Sequence, residues 1–242
     1  LAVLLMIGLI LGGNYLVTFA IGRSTGLKNI APESTLSDEA TQGIIQNWRQ
    51  QTQQAKDWME SAAVEEVRVQ SADGLKLSGE ADWIIARDED AQIVLHGVSM
   101  GGATVMMTAG EALPGQVKAV VEDCGYTSVW DIFADEMDYL FHLPTFPLLN
   151  IASAISSLRA GYGFSEASAL NQIAKAQVPV LFIHGSEDNF VHTDMVYRVY
   201  DACPAPKQLL VVEGAGHGNS FNHAPDTYFE TVFSFLEDYM DV

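Results

Sequence analysis

Ser99 stands in Gly97-Val98-Ser99-Met100-Gly101, between the apolar run Ile93-Val94-Leu95-His96 and the small, helix-prone run Gly102-Ala103-Thr104-Val105-Met106-Met107. Strand, glycine-flanked serine and helix in that order put a hydroxyl on a sharp, strained turn at the end of a sheet. The positive end of the following helix lies beneath it. Glycines at 97 and 101 are expected because side chains there would clash. A serine hydroxyl is a poor nucleophile until a base takes its proton and an acid orients that base. Two later segments supply these groups. Asp188 follows the apolar run Val180–His184, and His217 lies in Gly214-Ala215-Gly216-His217-Gly218 just after Leu209–Glu213. Both positions fall past the C-terminal ends of strands, where open parallel sheets gather their reactive groups. The chemistry such a set performs is acyl transfer through a covalent acyl-serine.

Other residues compete for these roles. Asp123 also ends a strand, after Val120-Val121-Glu122, and Glu187 adjoins Asp188. His96 and His184 precede glycines at strand ends and read as structural or pocket-lining. His142 falls in an aromatic-rich segment, and His192 and His223 read as surface or helix-entry residues. Only His217 combines a glycine-rich loop with the right place. The cysteines, Cys124 and Cys203, are too few for a disulfide scaffold, and no Cys/His spacing matches a zinc site. Neither a metal nor an organic cofactor is expected.

These groups need a scaffold of alternating elements. Short continuous apolar runs at Ile93–His96, Ala119–Glu122, Val180–His184 and Leu209–Glu213 read as parallel strands buried on both faces. Helices are expected near Gly102–Leu113, Asp194–Ala202 and Pro225–Met240. In the last of these Tyr228, Val232, Phe235, Leu236 and Tyr239 share one face. Between 127 and 176 the rhythm changes. Trp130, Phe133, Met137, Tyr139, Leu140, Phe141, Phe146 and Leu149 crowd a segment broken by Pro144 and Pro147. It reads as a small helical cap whose apolar residues form either packed undersides or a substrate wall. Upstream, Val64–Gln70, Asp73-Gly74 and Leu75–Ser78 read as a β-hairpin.

The amino-terminal residues are different material. Leu1 to Ile21 carries no charge and is long enough to cross a bilayer as a helix, so 1–22 reads as an anchor, with a signal peptide as the rival and a buried soluble helix as the remaining alternative. Residues 23–63 form a linker and a helix, and 64–242 the main domain. The formal charge of −19 argues against nucleic acid and against an anionic membrane surface as the main partner.

With Gly-Val-Ser-Met-Gly-Gly, His-Gly-x-x-Asp-x-x-Val and Gly-Ala-Gly-His-Gly all present, the chain from Val64 to Met240 resembles the α/β-hydrolase family. It is most similar to membrane-anchored bacterial serine hydrolases. The resemblance implies a mostly parallel sheet with a small helical cap. It makes Ser99 the nucleophile, His217 the base and then acid, Asp188 the group that holds the imidazole, and the Met100 amide an oxyanion donor. The implied substrate is a small-molecule ester or acyl compound, with an acyl-peptide as the alternative, on a domain outside the cytoplasm. The family also places a βαβα segment between hairpin and elbow strand, on the order of seventy residues from βαβ units of about thirty each. Here 14 residues separate Ser78 from Ile93. Because every surviving motif is intact, the expectation is a natural protein that contains the segment. A true deletion would remove a second oxyanion donor and leave an impaired, binding-type domain. Without the segment, Ile93–His96 should be a sheet edge or pair with Leu75–Ser78.

Overall fold

Alternation along two central strands decides how the layers form. The computed structural model describes residues 11–15, 17, 69–70, 76–77 and 90–240. The chain divides into two units, Thr18–Asp88 and Leu1–Val17 with Glu89–Val242. In the first unit, β1 (Val69–Gln70) pairs antiparallel with β2 (Lys76–Leu77), Val69 opposite Leu77.

The second unit runs β3 (Ile93–Val98), α1 (Met100–Ala109), β4 (Val117–Asp123), α2 (Val129–Phe141), α3 (Leu148–Ala160), α4 (Ala169–Ile173), β5 (Val180–Gly185), α5 (Asp194–Ala202), β6 (Lys207–Val212), α6 (Ser220–His223) and α7 (Pro225–Glu237). Its strands form one parallel sheet in the order β3-β4-β5-β6. Val120, Val180 and Phe182 face α1, α4 and α5, joining Met106, Ile173, Val196 and Val199 in one fully buried cluster. Ala119, Val121, Leu181 and Ile183 face the other way, against Tyr228 and Phe235 of α7. Period-two alternation thus serves two helical layers, and each buried Val, Leu or Ile contributes roughly 1.5–3 kcal/mol. The expected face of the last helix packs as read, with Val232, Leu236 and Tyr239 partly buried beside Tyr228 and Phe235.

Some expectations need correcting. Strands β3 and β4 run further than the apolar runs indicated, and α1 and α7 stop earlier, at Ala109 and Glu237. Of the two alternatives for the elbow strand, β2 takes β1 as its partner and β3 ends the four-stranded sheet among the described residues. The cap is helical, but Trp130, Phe133, Met137 and Leu149 do not form a wall. They pack inward with Phe164. Trp130, Phe133 and Met137 of α2 meet Leu149 and Ala152 of α3 and the Phe164 ring beyond it, which hides more apolar surface than a lining would.

Residues 11–15 are helical and lie on α3. A Cβ at Gly13 would come within 2.9 Å of Ile151 Cγ2, Asn14 Oδ1 accepts from Arg159 at 2.8 Å, and Val17 is fully buried in the cap cluster. No helix among the described residues is long and apolar enough to cross a membrane. The remainder of the 1–22 anchor, the 23–63 linker and helix, and Asp73-Gly74 of the hairpin lie outside the described residues.

Candidate active site

Ser99 links β3 to α1 with φ 58° and ψ −116°, the strained backbone its neighbours foretold. Its amide donates to the Asp123 carbonyl at 2.8 Å, tying the turn to β4. A Cβ on Gly97 would sit 2.1 Å from the Gly101 carbonyl oxygen, so only glycine fits there. Gly101 is different from expectation: nothing lies within 4 Å of a Cβ built on it. The second steric demand falls one residue later, where a Gly102 Cβ would come 2.9 Å from the Asp123 carbonyl oxygen. Gly101→Ala should therefore leave the stability unchanged or raise it by up to ~1 kcal/mol from helix propensity, with the melting temperature unchanged or higher. Gly97→Ala should lower soluble yield sharply. Thermal melts of both variants check this, and equal destabilisation would contradict it.

Asp188 and His217 reach the serine from loops after β5 and β6. A Cβ on Gly185 would lie 2.1 Å from the Ala215 carbonyl oxygen, so glycine lets the two loops touch. Glu187 N donates to that carbonyl at 3.0 Å, and Ser186 Oγ accepts from Gly214 N at 2.8 Å. The side chains then line up. Ser99 Oγ is 2.8 Å from His217 Nε2, and His217 Nδ1 is 2.8 Å from Asp188 Oδ2. The other carboxylate oxygen, Oδ1, accepts from the Phe190 and Val191 amides, each at 2.9 Å. Burial opposes the Asp188 charge. Hydrogen bonds from His184 and His217, the His217 charge and the Val191 amide outweigh it and hold the carboxyl well below the usual carboxylate range. Met100 opens α1, and a first-turn amide has no acceptor within its own helix.

Of the competing residues, Glu187 is exposed and Asp123 is fully buried, accepting from Ser220 Oγ at 3.3 Å. His142, His192 and His223 are exposed, and His96 Nε2 meets Tyr228 OH at 3.1 Å. Burial pushes the Asp123 carboxyl from its ordinary 3.8 up to about 6, against hydrogen bonds from Tyr228 and Ser220 and the charge of His184. Burial also drives Glu122 well up, against the Gly125 amide. A carboxyl raised on folding costs stability above its folded pKa. Stability therefore falls as pH rises from about 4 through about 6. Asp123→Asn should stabilise the fold by roughly 1–3 kcal/mol at pH 8 and by progressively less toward pH 4, as urea unfolding would show. A loss equal at both pH values would contradict this.

The sequence did not single out Phe190, whose half-exposed ring stands 4.9 Å from the His217 ring, nor the contact of His184 with Asp188. The motif His-Gly-x-x-Asp carried the signal for the latter. Cys124, expected as a small buried thiol at the end of its strand, is buried at φ 48° after β4, but its closeness to the acid and the histidine was not foreseen. Cys124, Asp188 and His217 bring one potential metal-ligand atom each within 4.8 Å of one another. Asp188 and His217 are already hydrogen-bonded to each other, and burial followed by the Asp123 charge pushes the Cys124 thiol far up.

Comparison with known proteins places the fold that carries these residues. Residues 45–242 match the model of the prolyl oligopeptidase family. The uncharacterized protein YqkD of Bacillus subtilis is 34% identical over 149 residues, 62% of this chain and 49% of that protein. Human α/β hydrolase domain-containing protein 17C is 32% identical over 97 residues, 40% of this chain and 28% of that protein. The chain thus spans about half, or less, of the curated relatives it matches. Among solved structures, an acylaminoacyl peptidase of Pyrococcus horikoshii superposes with a TM-score of 0.51 at 16% identity, covering 66% of this chain and 26% of that one. An esterase of Pyrococcus furiosus gives 0.50 at 22% identity, covering 66% and 59%. These likenesses show the α/β-hydrolase fold. With the match over most of its length, the chain belongs to the prolyl oligopeptidase family and carries that family's serine-hydrolase-type α/β fold.

Proposed function

We propose that Ser99, His217 and Asp188 form the catalytic triad of an acyl hydrolase that cleaves carboxylic esters. The observation that carries this is the unbroken line of two 2.8 Å contacts from Ser99 Oγ through the imidazole to Asp188 Oδ2. Ser99 Oγ attacks the acyl carbonyl as its proton passes to His217 Nε2. The oxyanion meets the Met100 amide, and the departing alcohol takes the proton from His217. Water, deprotonated by His217, then releases the acid. The half-exposed Phe190 ring offers an apolar wall for the acyl or alcohol portion. These steps use the protein, its substrate and water.

A second reading, an acyl-peptide hydrolase, is favoured by the family itself. The same steps would serve it, with an amine as leaving group. If the natural protein lacks the second oxyanion donor, the rate should be about 10²–10³ lower. A domain that only binds a partner is the limiting case. The lack of charge over 1–22 supports a tether that holds the domain at the outer face of the cell membrane, whereas the packing of residues 11–15 and 17 on α3 favours a helix docked on the cap. Carbonate extraction of membranes tests that: release of the protein into the supernatant would count against it.

Incubation with a fluorophosphonate probe tests the catalytic reading directly. Stoichiometric phosphonylation of the peptide bearing Ser99 is expected. Absence of label on a folded chain would sink the hydrolase in favour of the binding domain. Parallel turnover of matched ester and amide substrates then decides between the two leaving groups.

A further inference from the structure

We propose that His184 is a positioning residue, a second imidazole that clamps the orienting carboxylate of Asp188 and moderates how strongly it acts on His217. The inference rests on the reading of Asp188 given above and names a component of its machinery. His184 is fully buried at the end of β5. Its Nε2 lies 2.8 Å from the Val191 carbonyl oxygen. A carbonyl only accepts, so this nitrogen carries a hydrogen, whichever charge state the ring holds. The same Nε2 is 3.3 Å from Asp188 Oδ2, the oxygen that receives His217 Nδ1. Two imidazoles therefore converge on one carboxylate oxygen, while two amides hold the other.

The consequence is both geometric and electrostatic. Val191 is gripped twice, through its amide by Asp188 and through its carbonyl by His184. The acid loop is thereby closed on itself without help from His217. The same N–H, shared between the Val191 carbonyl and Oδ2, also draws charge from the oxygen that stabilises the His217 imidazolium. Other ionisable groups bear on His184. Asp188 lies on its own loop, Asp123 approaches from β4 and senses the His184 charge, and His217 shares its oxygen. Its Nδ1 has no partner among the described residues, so the clamp works through Nε2 alone.

Removing the donor should leave Asp188 more basic toward His217 and less well held. His184→Leu should lower kcat about 10–100-fold with KM changed less than about threefold, a scale typical of groups that orient a reactive ligand. The acid limb of kcat/KM should move up by about half to one pH unit. His184→Gln, whose amide nitrogen reaches the place of Nε2, should restore the limb and most of kcat. The same shift should appear in the His217 titration followed by nuclear magnetic resonance, which needs no turnover. If the wild type takes no fluorophosphonate yet His217 titrates as described, the hydrolase reading fails and the positioning role stands. Equal shifts in the Leu and Gln variants, or lost stability with an unmoved limb, would overturn the proposal. Should the Leu variant fail to fold, the wild type decides by itself. Nitrogen-15 spectra at pH 8 must show His184 protonated at Nε2, and a bare Nε2 would refute the clamp.

Discussion

Ser99→Ala is expected to lower turnover of an activated ester by about 10⁶ in kcat with little change in KM, the scale seen when a nucleophile is removed from a cooperating triad. The reason is local. His217 Nε2 faces a single acidic hydrogen, that of Ser99 Oγ at 2.8 Å, and without it the base has nothing to activate. Alanine tolerates φ 58° about as poorly as serine, so the strain of the elbow is shared by both proteins and the fold should survive. Steady-state kinetics with a matched melting curve check the prediction. A residual rate above about one per cent of wild type would move the nucleophile elsewhere. The buried Cys124 thiol beside His217 and Asp188 would be the next side chain to replace.

Asp188→Asn should cost about 10⁴ in kcat, and the arrangement of donors says why. The Phe190 and Val191 amides must keep an oxygen at the Oδ1 position. The new amide nitrogen is thereby turned to where Oδ2 stood, facing His217 Nδ1. An amide N–H donates, so Nδ1 must accept. The ring then presents Nε2–H to a serine that needs a bare nitrogen. Raising the pH cannot repair a wrong tautomer, and the loss should persist at pH 9. Asp123→Asn should leave turnover within about threefold, because that carboxyl bonds Ser220 and not His217. A pH–rate comparison of the two variants decides which acid orients the base.

Much of this arrangement could be read along the chain because its determinants are local. A buried parallel strand announces itself as a short apolar run, and a strained serine by the glycine and helix beside it. Asp188 and His217 were legible for the same reason, each lying a few residues past a strand end. What was not legible depends on neighbours distant in sequence. Whether glycine is required at 97, 101 or 102 is decided by which carbonyl passes nearby: that of Gly101 at 97, none at 101 and that of Asp123 at 102. The aromatic residues of the cap gave no sign of direction until α2 packed on α3 and on Phe164 beyond it. His184 precedes a glycine like His96, yet one is sealed beneath the acid loop and the other meets Tyr228. The burial that raises Asp123 is a property of the layers above and below β4, not of its own segment.

The close passage of Gly185 beneath Ala215 bears on how such a protein can be altered. With the hydrogen bonds that join the acid and histidine loops, it makes them one piece that cannot be exchanged in halves. A chimera that takes one loop from a relative must take the other with it, whereas the serine elbow on β3 can be swapped separately. Recombination breakpoints between β3 and β5 should thus yield working hybrids more often than those between β5 and β6. In such hybrids, imperfect fit would open the gap between hydroxyl and imidazole before it disturbed the bond between imidazole and carboxylate.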